Sequence, residues 1–228
     1  MDETGQSCYN VLRPRPHAEE VINMQLCTIP ASGFAANCYL LWEDVSRQAL
    51  LVDPTASVSA VAAALRERGV TLTGILLTHG HFDHILTLDA LRDAFGVPAY
   101  VHRADAEMLG DPVRNVSALL VGEQIRRRPA EELWDGGETL TLGEETLTVL
   151  STPGHTPGSV CFRGKDFLVS GDTLFDRSIG RTDLPGGSFS VLSASLAGLC
   201  LLPGDTRVYP GHGPDTTIEE QIKANPYL

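Results

Sequence analysis

The run Ile75-Leu76-Leu77-Thr78-His79-Gly80-His81-Phe82-Asp83-His84 limits what this chain can be more than any other stretch. An apolar, strand-like segment ends in three imidazoles and a carboxylate within six residues. Neutral imidazole is the commonest metal-binding side chain, and carboxylates join it on zinc and iron. In extended backbone His79 and His81 project to the same side. Asp83 and His84 stand where a helix is expected to open. Its apolar stripe is Ile85, Leu88, Leu91 and Phe95, and Gly96 stops it at about Phe95. The plainer alternative is an Asp83 N-cap beside a polar histidine loop. It leaves the crowding of four ligand-type side chains without a cause.

Three more positions share that setting, a polar residue in a glycine-containing turn after a strand-like run. His155 lies in Thr152-Pro153-Gly154-His155-Thr156-Pro157-Gly158 after Thr146–Leu150. Asp172 lies in Ser170-Gly171-Asp172-Thr173 after Phe167-Leu168-Val169, and His212 in Tyr209-Pro210-Gly211-His212-Gly213. Glycine lets backbone approach a site closely, and loops at strand ends are where function concentrates. Asp53 also ends a strand, ahead of Pro54, and reads as a turn cap or a brace for a ligand rather than a ligand itself. His17 and His102 read as surface or locally hydrogen-bonded residues.

The rest of the chain bounds its partners. Its 228 residues are ample for a buried core, and the net charge of -12 argues against nucleic acid or an anionic membrane as partner. Arg126-Arg127-Arg128 reads as a solvated face. No run of about eighteen apolar residues suggests a membrane span, and the acidic start Met1-Asp2-Glu3 does not suggest a signal peptide. Five scattered cysteines without a C-x-x-C pair suit reduced thiols and a cytoplasmic location.

Residues 1–20 read as an N-terminal arm and 21–228 as a single domain. Strands are expected over Met24–Ile29, Ala36–Trp42 and Ala49–Asp53 as an antiparallel meander. A helix follows between a Ser57 cap and Gly69, then the strand Gly74–Thr78 and the helix behind the histidines. Ala99–Val101 is a short strand and Arg103–Leu109 a short helix. Residues 110–137 carry turn signals but no clear element. Two hairpins follow, about Gly143-Glu144-Glu145 and about Gly164. The chain then reads helix Ser188–Leu199, strand Arg207–Tyr209 and helix Thr217–Ala224. Sheets with helices outside them fit an α/β (α+β), four-layer αββα sandwich.

These motifs, with Leu51-Val52-Asp53-Pro54, resemble the metallo-β-lactamase superfamily from about Met24 onward. The resemblance is closest to its glyoxalase II-like (hydroxyacylglutathione hydrolase-like) branch, helped by Gly180-Arg181-Thr182-Asp183 and the ending Asn225-Pro226-Tyr227-Leu228. It implies two divalent metal ions, zinc first, with iron or manganese accepted by the same donors. His79, His81 and His155 would hold one metal, Asp83, His84 and His212 the other, and Asp172 would bridge them. The common zinc β-lactamases differ, with arginine at the place of His84 and cysteine at the place of Asp172. Two metals can lower the pKa of a shared water and polarise a carbonyl oxygen, so a metal-bridging hydroxide would attack and no protein nucleophile is needed. Asp83 would orient that water as the catalytic carboxylate.

The implied activity is a metal-dependent hydrolase of acyl thioesters, a small-molecule substrate of the glutathione type. Arg181 is the candidate contact to a substrate carboxylate. A tyrosine expected two residues further on is replaced by Asp183, and a salt bridge from Arg181 to Asp176 or Asp183 competes with that role. Persulfide dioxygenases are an alternative resemblance, with one iron on His79, His155 and Asp172. A non-catalytic metal-binding module is the third reading. The oligomeric state is not legible.

Overall fold

The computed structural model describes residues 24–31 and 35–228. The arm read over residues 1–20, with Cys8 and His17, lies outside the described residues. The first sheet has the order of its strands in the chain: β1 (Met24–Ile29), β2 (Cys38–Glu43), β3 (Gln48–Val52), β4 (Thr71–Leu76), β5 (Ala99–His102) and β6 (Glu132–Trp134). β1 to β3 are the expected antiparallel meander, and β3 to β6 run parallel. The second sheet contains β7 (Thr139–Leu142), β8 (Glu145–Ser151), β9 (Val160–Arg163) and β10 (Phe167–Gly171). A separate ribbon follows, β11 (Leu174–Phe175) with β12 (Ser178–Ile179), and then β13 (Arg207–Pro210) and β14 (Thr216–Thr217) complete the second sheet in the order β14-β13-β10-β9-β8-β7. Its one parallel pair is β10 with β13.

Side chains alternate across each strand, and the alternation sorts the core into three layers. Cys38, Leu40, Ala49, Leu51 and Ile75 face one side of the first sheet, where they pack under helices α1 (Val58–Arg68) and α2 (Leu88–Phe95). Tyr39, Leu41, Leu50, Val52 and Leu76 face the other side. There they meet Leu147, Val149, Phe162 and Val169 of the second sheet. Cys161, Leu168 and Val208 turn outward from the second sheet onto Leu192, Leu196 and Ile218. Those last come from α4 (Phe189–Leu199) and α5 (Ile218–Ala224), which follow the four-residue α3 (Ser117–Leu120) in the chain. Three apolar interfaces between four layers make the αββα sandwich. Strands covered on both faces explain why Leu40-Leu41 and Ala49–Val52 are unbroken apolar runs.

Helix ends follow their local chemistry. The Ser57 side chain accepts from Ala60 N at the start of α1, and Gly69 closes it with φ of 64°. The helix expected from Asp83 to Phe95 is two pieces, a 3-10 turn over Phe82–His84 and then α2. The break is held by side chains remote in sequence. Arg127 donates to the carbonyls of Ile85 and Leu86, and Thr87 Oγ1 donates to those of Pro54 and Ala56. Arg127 is therefore part of the fold rather than a solvated face. Arg128 pairs with Asp89 and Asp93. Residues 110–137 hold α3 and β6, and Asn115 O accepts from Phe82 N, so this stretch is tied to the histidine loop.

Candidate metal centre

Five strands deliver the polar cluster at one end of the sandwich. β3 and β4 end side by side, so Asp53 and the 78–84 loop emerge together. β10 and β13, parallel neighbours in the other sheet, end at Asp172 and ahead of His212. β8 runs into the turn of His155. The sheets are joined here, since Val160 N donates to Thr78 O.

The seven residues singled out as ligands come together. His79, His81 and His155 form one group, His79, His84 and Asp172 a second, and Asp83, His84 and His212 a third, each with its donor atoms within 4.8 Å of one another. His81 Nδ1 lies 3.1 Å from His79 Nε2 and 2.9 Å from His155 Nε2. The Asp172 carboxylate stands between the groups, with Oδ1 3.3 Å from His84 Nε2 and Oδ2 3.5 and 3.7 Å from the Nε2 atoms of His155 and His212. Asp83 Oδ2 is 3.1 Å from His212 Nε2.

Three of the five rings are aimed by a partner on the far side. His84 Nδ1 donates to Asp53 Oδ2 at 2.8 Å, and His155 Nδ1 to the carbonyl of Arg181 at 2.7 Å. His79 Nδ1 donates to Thr78 Oγ1, whose own proton goes to Asp53 Oδ2. The three Nε2 atoms are thereby left as lone-pair donors pointing inward. Asp53 is thus a brace, and it holds a left-handed φ of 51°, which aspartate tolerates better than most residues. It also accepts from Thr78 N at 2.9 Å.

The electrostatics follow from this packing. Burial and the neighbouring imidazoles hold His79 well below the ordinary histidine value, and burial with His155 brings His81 down to about 3. His84 goes the other way. Burial opposes its charge, but Asp172 and Asp53 outweigh that and raise it. His212 is raised by its hydrogen bond to Asp83. Asp172 is buried yet held well below the usual carboxylate range by His84, His155 and His212.

The donor set fits a pair of metal ions. His84 Nε2 and Asp172 Oδ1 are buried without a hydrogen-bond partner, although they face each other. Facing each other at that range they need a shared cation, a proton on His84 in the metal-free protein or a metal ion that both atoms would ligate. The backbone approaches these donors closely. A Cβ on Gly211 would overlap the Asp172 carboxylate and lie 2.8 Å from the His84 ring, and a Cβ on Gly180 would overlap the Asp172 carbonyl.

Other expectations fall out differently. Arg181 is about half exposed, and its guanidinium makes a bidentate pair with Asp183 at 2.7 Å. Its visible contact with the centre is its carbonyl. His102 caps the turn that follows it by accepting from Ala104 N, as a locally bonded residue. Among the described residues the cysteines are free thiols, and burial pushes Cys38 and Cys161 up to about 11.

Sequence reasoning missed Asp105. This fully buried carboxylate accepts from Gly80 N (3.1 Å), Thr156 Oγ1 (2.7 Å) and Gly158 N (2.7 Å). It therefore clamps the loop of His79 and His81 to the loop of His155. Burial raises its pKa, while those three hydrogen bonds pull the other way. Asn37 and Tyr39 were missed too. Asn37 Nδ2 donates to the carbonyls of Pro210 and Gly213, and Tyr39 Oη to that of Pro210, which anchors the His212 turn. No local pattern marks these residues, because their partners are 25 to 176 positions away.

The chain belongs to the metallo-β-lactamase superfamily, whose family model matches residues 31–212. Among curated proteins it is 40% identical over 203 residues to the probable metallo-hydrolase YqgX of Bacillus subtilis, covering 88% of this chain and 95% of that one. It is 32% identical to the hydroxyacylglutathione hydrolase GloC of Haemophilus influenzae, covering 90% and 98%. Among solved structures it is similar to the BLEG-1 B3 metallo-β-lactamase, with 41% identity, TM-score 0.84 and coverage of 90% and 99%. TTHA1623 in a di-iron-bound form matches at 34%, TM-score 0.77 and coverage of 89% and 100%. ETHE1 from Myxococcus xanthus matches at 30%, TM-score 0.69 and coverage of 89% and 84%. The family and the side-chain cluster make this a protein of the metallo-hydrolase superfamily with a candidate metal site. No helix among the described residues is long and apolar enough to cross a membrane.

Proposed function

We propose that the chain is a two-metal hydrolase of acyl thioesters, of the glyoxalase II type. His79, His81 and His155 would hold one ion, Asp83, His84 and His212 the other, and Asp172 would serve both. The observation that carries the reading is the position of the Asp172 carboxylate, within 3.3 to 3.7 Å of ring nitrogens from both sides. Two divalent cations bound there would supply a water of lowered pKa and polarise a substrate carbonyl. The chain's own part is to fix the donors through Asp53, Thr78 and the Arg181 carbonyl, so that no reorganisation is needed when charge develops. Asp83, one oxygen on His212, is the group placed to accept a hydrogen bond from the attacking water and orient it. Similarity to GloC supports the thioester as substrate class.

In this reading Arg181 contacts a substrate carboxylate by leaving Asp183. Arg181→Ala then raises KM for an anionic thioester with little change in kcat, and the same change in KM for a neutral thioester would remove that role.

Similarity to ETHE1 supports a second reading, a one-iron oxygenase on His79, His155 and Asp172. The deciding experiment is metal analysis of protein purified without added metal, followed by assays on thioesters, glutathione persulfide with oxygen uptake, and a β-lactam. The last is included because of the likeness to BLEG-1. Two ions per chain with thioester cleavage is the expected result. One iron per chain with oxygen uptake overturns it.

A further inference from the structure

The ribbon of β11 and β12 leans on ligands from both halves of the centre. It starts just after Asp172, and its strands pair Leu174 with Ile179 and Phe175 with Ser178. The Phe175 ring meets the His212 ring edge to face, with centroids 6.2 Å apart. Beyond the return strand, Gly180 sits so close that a Cβ there would overlap the Asp172 carbonyl and lie 3.2 Å from the His155 Cβ. The next carbonyl, that of Arg181, accepts from His155 Nδ1. A two-stranded ribbon this short does not hold itself in water. The Arg177 φ of 53° at its tip is also one that a residue other than glycine seldom adopts. The support comes from α5 and the residue after it. Gln221, which is buried, accepts from Arg177 N at 2.7 Å and donates to Asp176 Oδ1 at 3.0 Å. Asn225, also buried, donates from Nδ2 to the Ser178 carbonyl and to Gln221 Oε1, both at 3.0 Å. Gln221 Nε2 donates to Thr216 Oγ1 as well, so every hydrogen-bonding position of its amide is filled.

We propose that Gln221 and Asn225 are positioning residues of the metal centre, which fix the donors of both ion sites by holding the β11–β12 ribbon. The inference rests on the two-metal reading and not on the identity of the substrate. The plainer account, a C-terminal helix capped by its own side chains, does not cover these contacts, because the bonds to Arg177, Asp176 and Ser178 leave α5 for the ribbon. Packing alone does not call for buried amides either, since an apolar side chain of the same shape would fill the space without needing partners. The ribbon touches His155 of the three-histidine site, His212 of the other, and the carboxylate that would serve both. Loosening it therefore acts on both sites together, unlike loss of Asp105, which clamps the three-histidine loops alone.

The test is a titration of cobalt(II) into metal-free protein, with visible absorption reporting the affinity of each step and the geometry of the donors. Gln221→Glu sets a carboxylate oxygen against Asp176, and Asn225→Ala removes the donor to Ser178. Each is expected to bind both ions about tenfold or more weakly, with shifted visible bands. Adding Asp176→Asn to Gln221→Glu restores the lost hydrogen bond with its direction reversed, and should recover most of the affinity. Thr217→Ala removes the capping box at the start of α5 without touching the ribbon, and is expected to bind cobalt as the wild type does. Wild-type behaviour in both ribbon variants, a change at one site only, or a loss matched by Thr217→Ala would overturn the inference with the two-metal reading intact. So would loss of the fold in both, which would reduce the pair to general structural support. If the wild type takes up a single ion, the two-metal reading falls, and the inference stands only if the ribbon variants weaken that one step and Thr217→Ala does not. If it takes up none, both fall.

Discussion

At the scale of single residues, the centre depends on groups that never touch a metal. Asp105 is the clearest case, because both loops hang on its two oxygens. Asp105→Asn keeps the shape but turns an amide N–H₂ toward a backbone N–H at Gly80 or Gly158. The expected result is a folded protein whose three-histidine site binds zinc about 10- to 100-fold more weakly, with the other site little changed. A two-step competition titration with a chromophoric chelator measures this. Equal weakening at both sites would reduce Asp105 to general structural support. Asp53 braces His84 directly and His79 through Thr78, so Asp53→Asn should weaken both sites, that of Asp83, His84 and His212 the more.

The legible and the illegible separate cleanly at this scale. His79, His81, Asp83 and His84 declare themselves through spacing, and His155, Asp172 and His212 through glycine turns after apolar runs. Asp105, Asn37 and Tyr39 carry no such mark. Asp105 sits in an ordinary short helical turn, and its importance arises only when two loops from different sheets close over it.

Elements show where local rules hold and where packing overrides them. Ser57 and Gly69 bound α1 as their chemistry requires, and Thr217 with Glu220 forms a capping box at α5. Thr217→Ala should cost about 1 kcal/mol in chemical denaturation, with no change in metal content. The helix after His84 departs from its pattern. The apolar stripe at Ile85, Leu88, Leu91 and Phe95 is real, but the carbonyls of Ile85 and Leu86 are taken by Arg127. The loop at Gly211 tolerates no such rearrangement. Gly211→Ala drives a methyl group into Asp172 and the His84 ring. Loss of roughly 1–3 kcal/mol in stability is expected. The metal count per chain, read by elemental analysis, should fall.

For the whole molecule, gathering five imidazoles, four of them buried, at the mouth of a sandwich sets a pH dependence of stability. Consider the protein stripped of metal by chelator. His79 and His81 are depressed below 6.5, so between 6.5 and about 3 the unfolded chain binds more protons and stability falls as pH falls. His84 and His212 are raised above 6.5, so above that value the folded chain holds more protons and stability falls as pH rises through their folded values. The metal-free protein should therefore melt at its highest temperature near pH 6.5. A divalent ion held there would replace the protons on His84 and His212, so protein loaded with zinc should melt higher and lose the alkaline decline. A metal-free melting temperature that keeps rising above pH 6.5 would contradict the ion pairs around His84.

The amino-acid order alone determined the layers and the candidate ligands. Two-residue alternation decides which side chain faces which layer, and donor chemistry is written in residue type. Only the tertiary structure decided how those ligands are held and what lies beside them. Asp105 beneath two loops, Arg127 across the helix break, Arg181 turned to Asp183 and the ribbon held by Gln221 and Asn225 all arise from contacts between segments far apart in the chain. Such contacts exist only once the two sheets have stacked, and nothing periodic in the neighbouring residues encodes them.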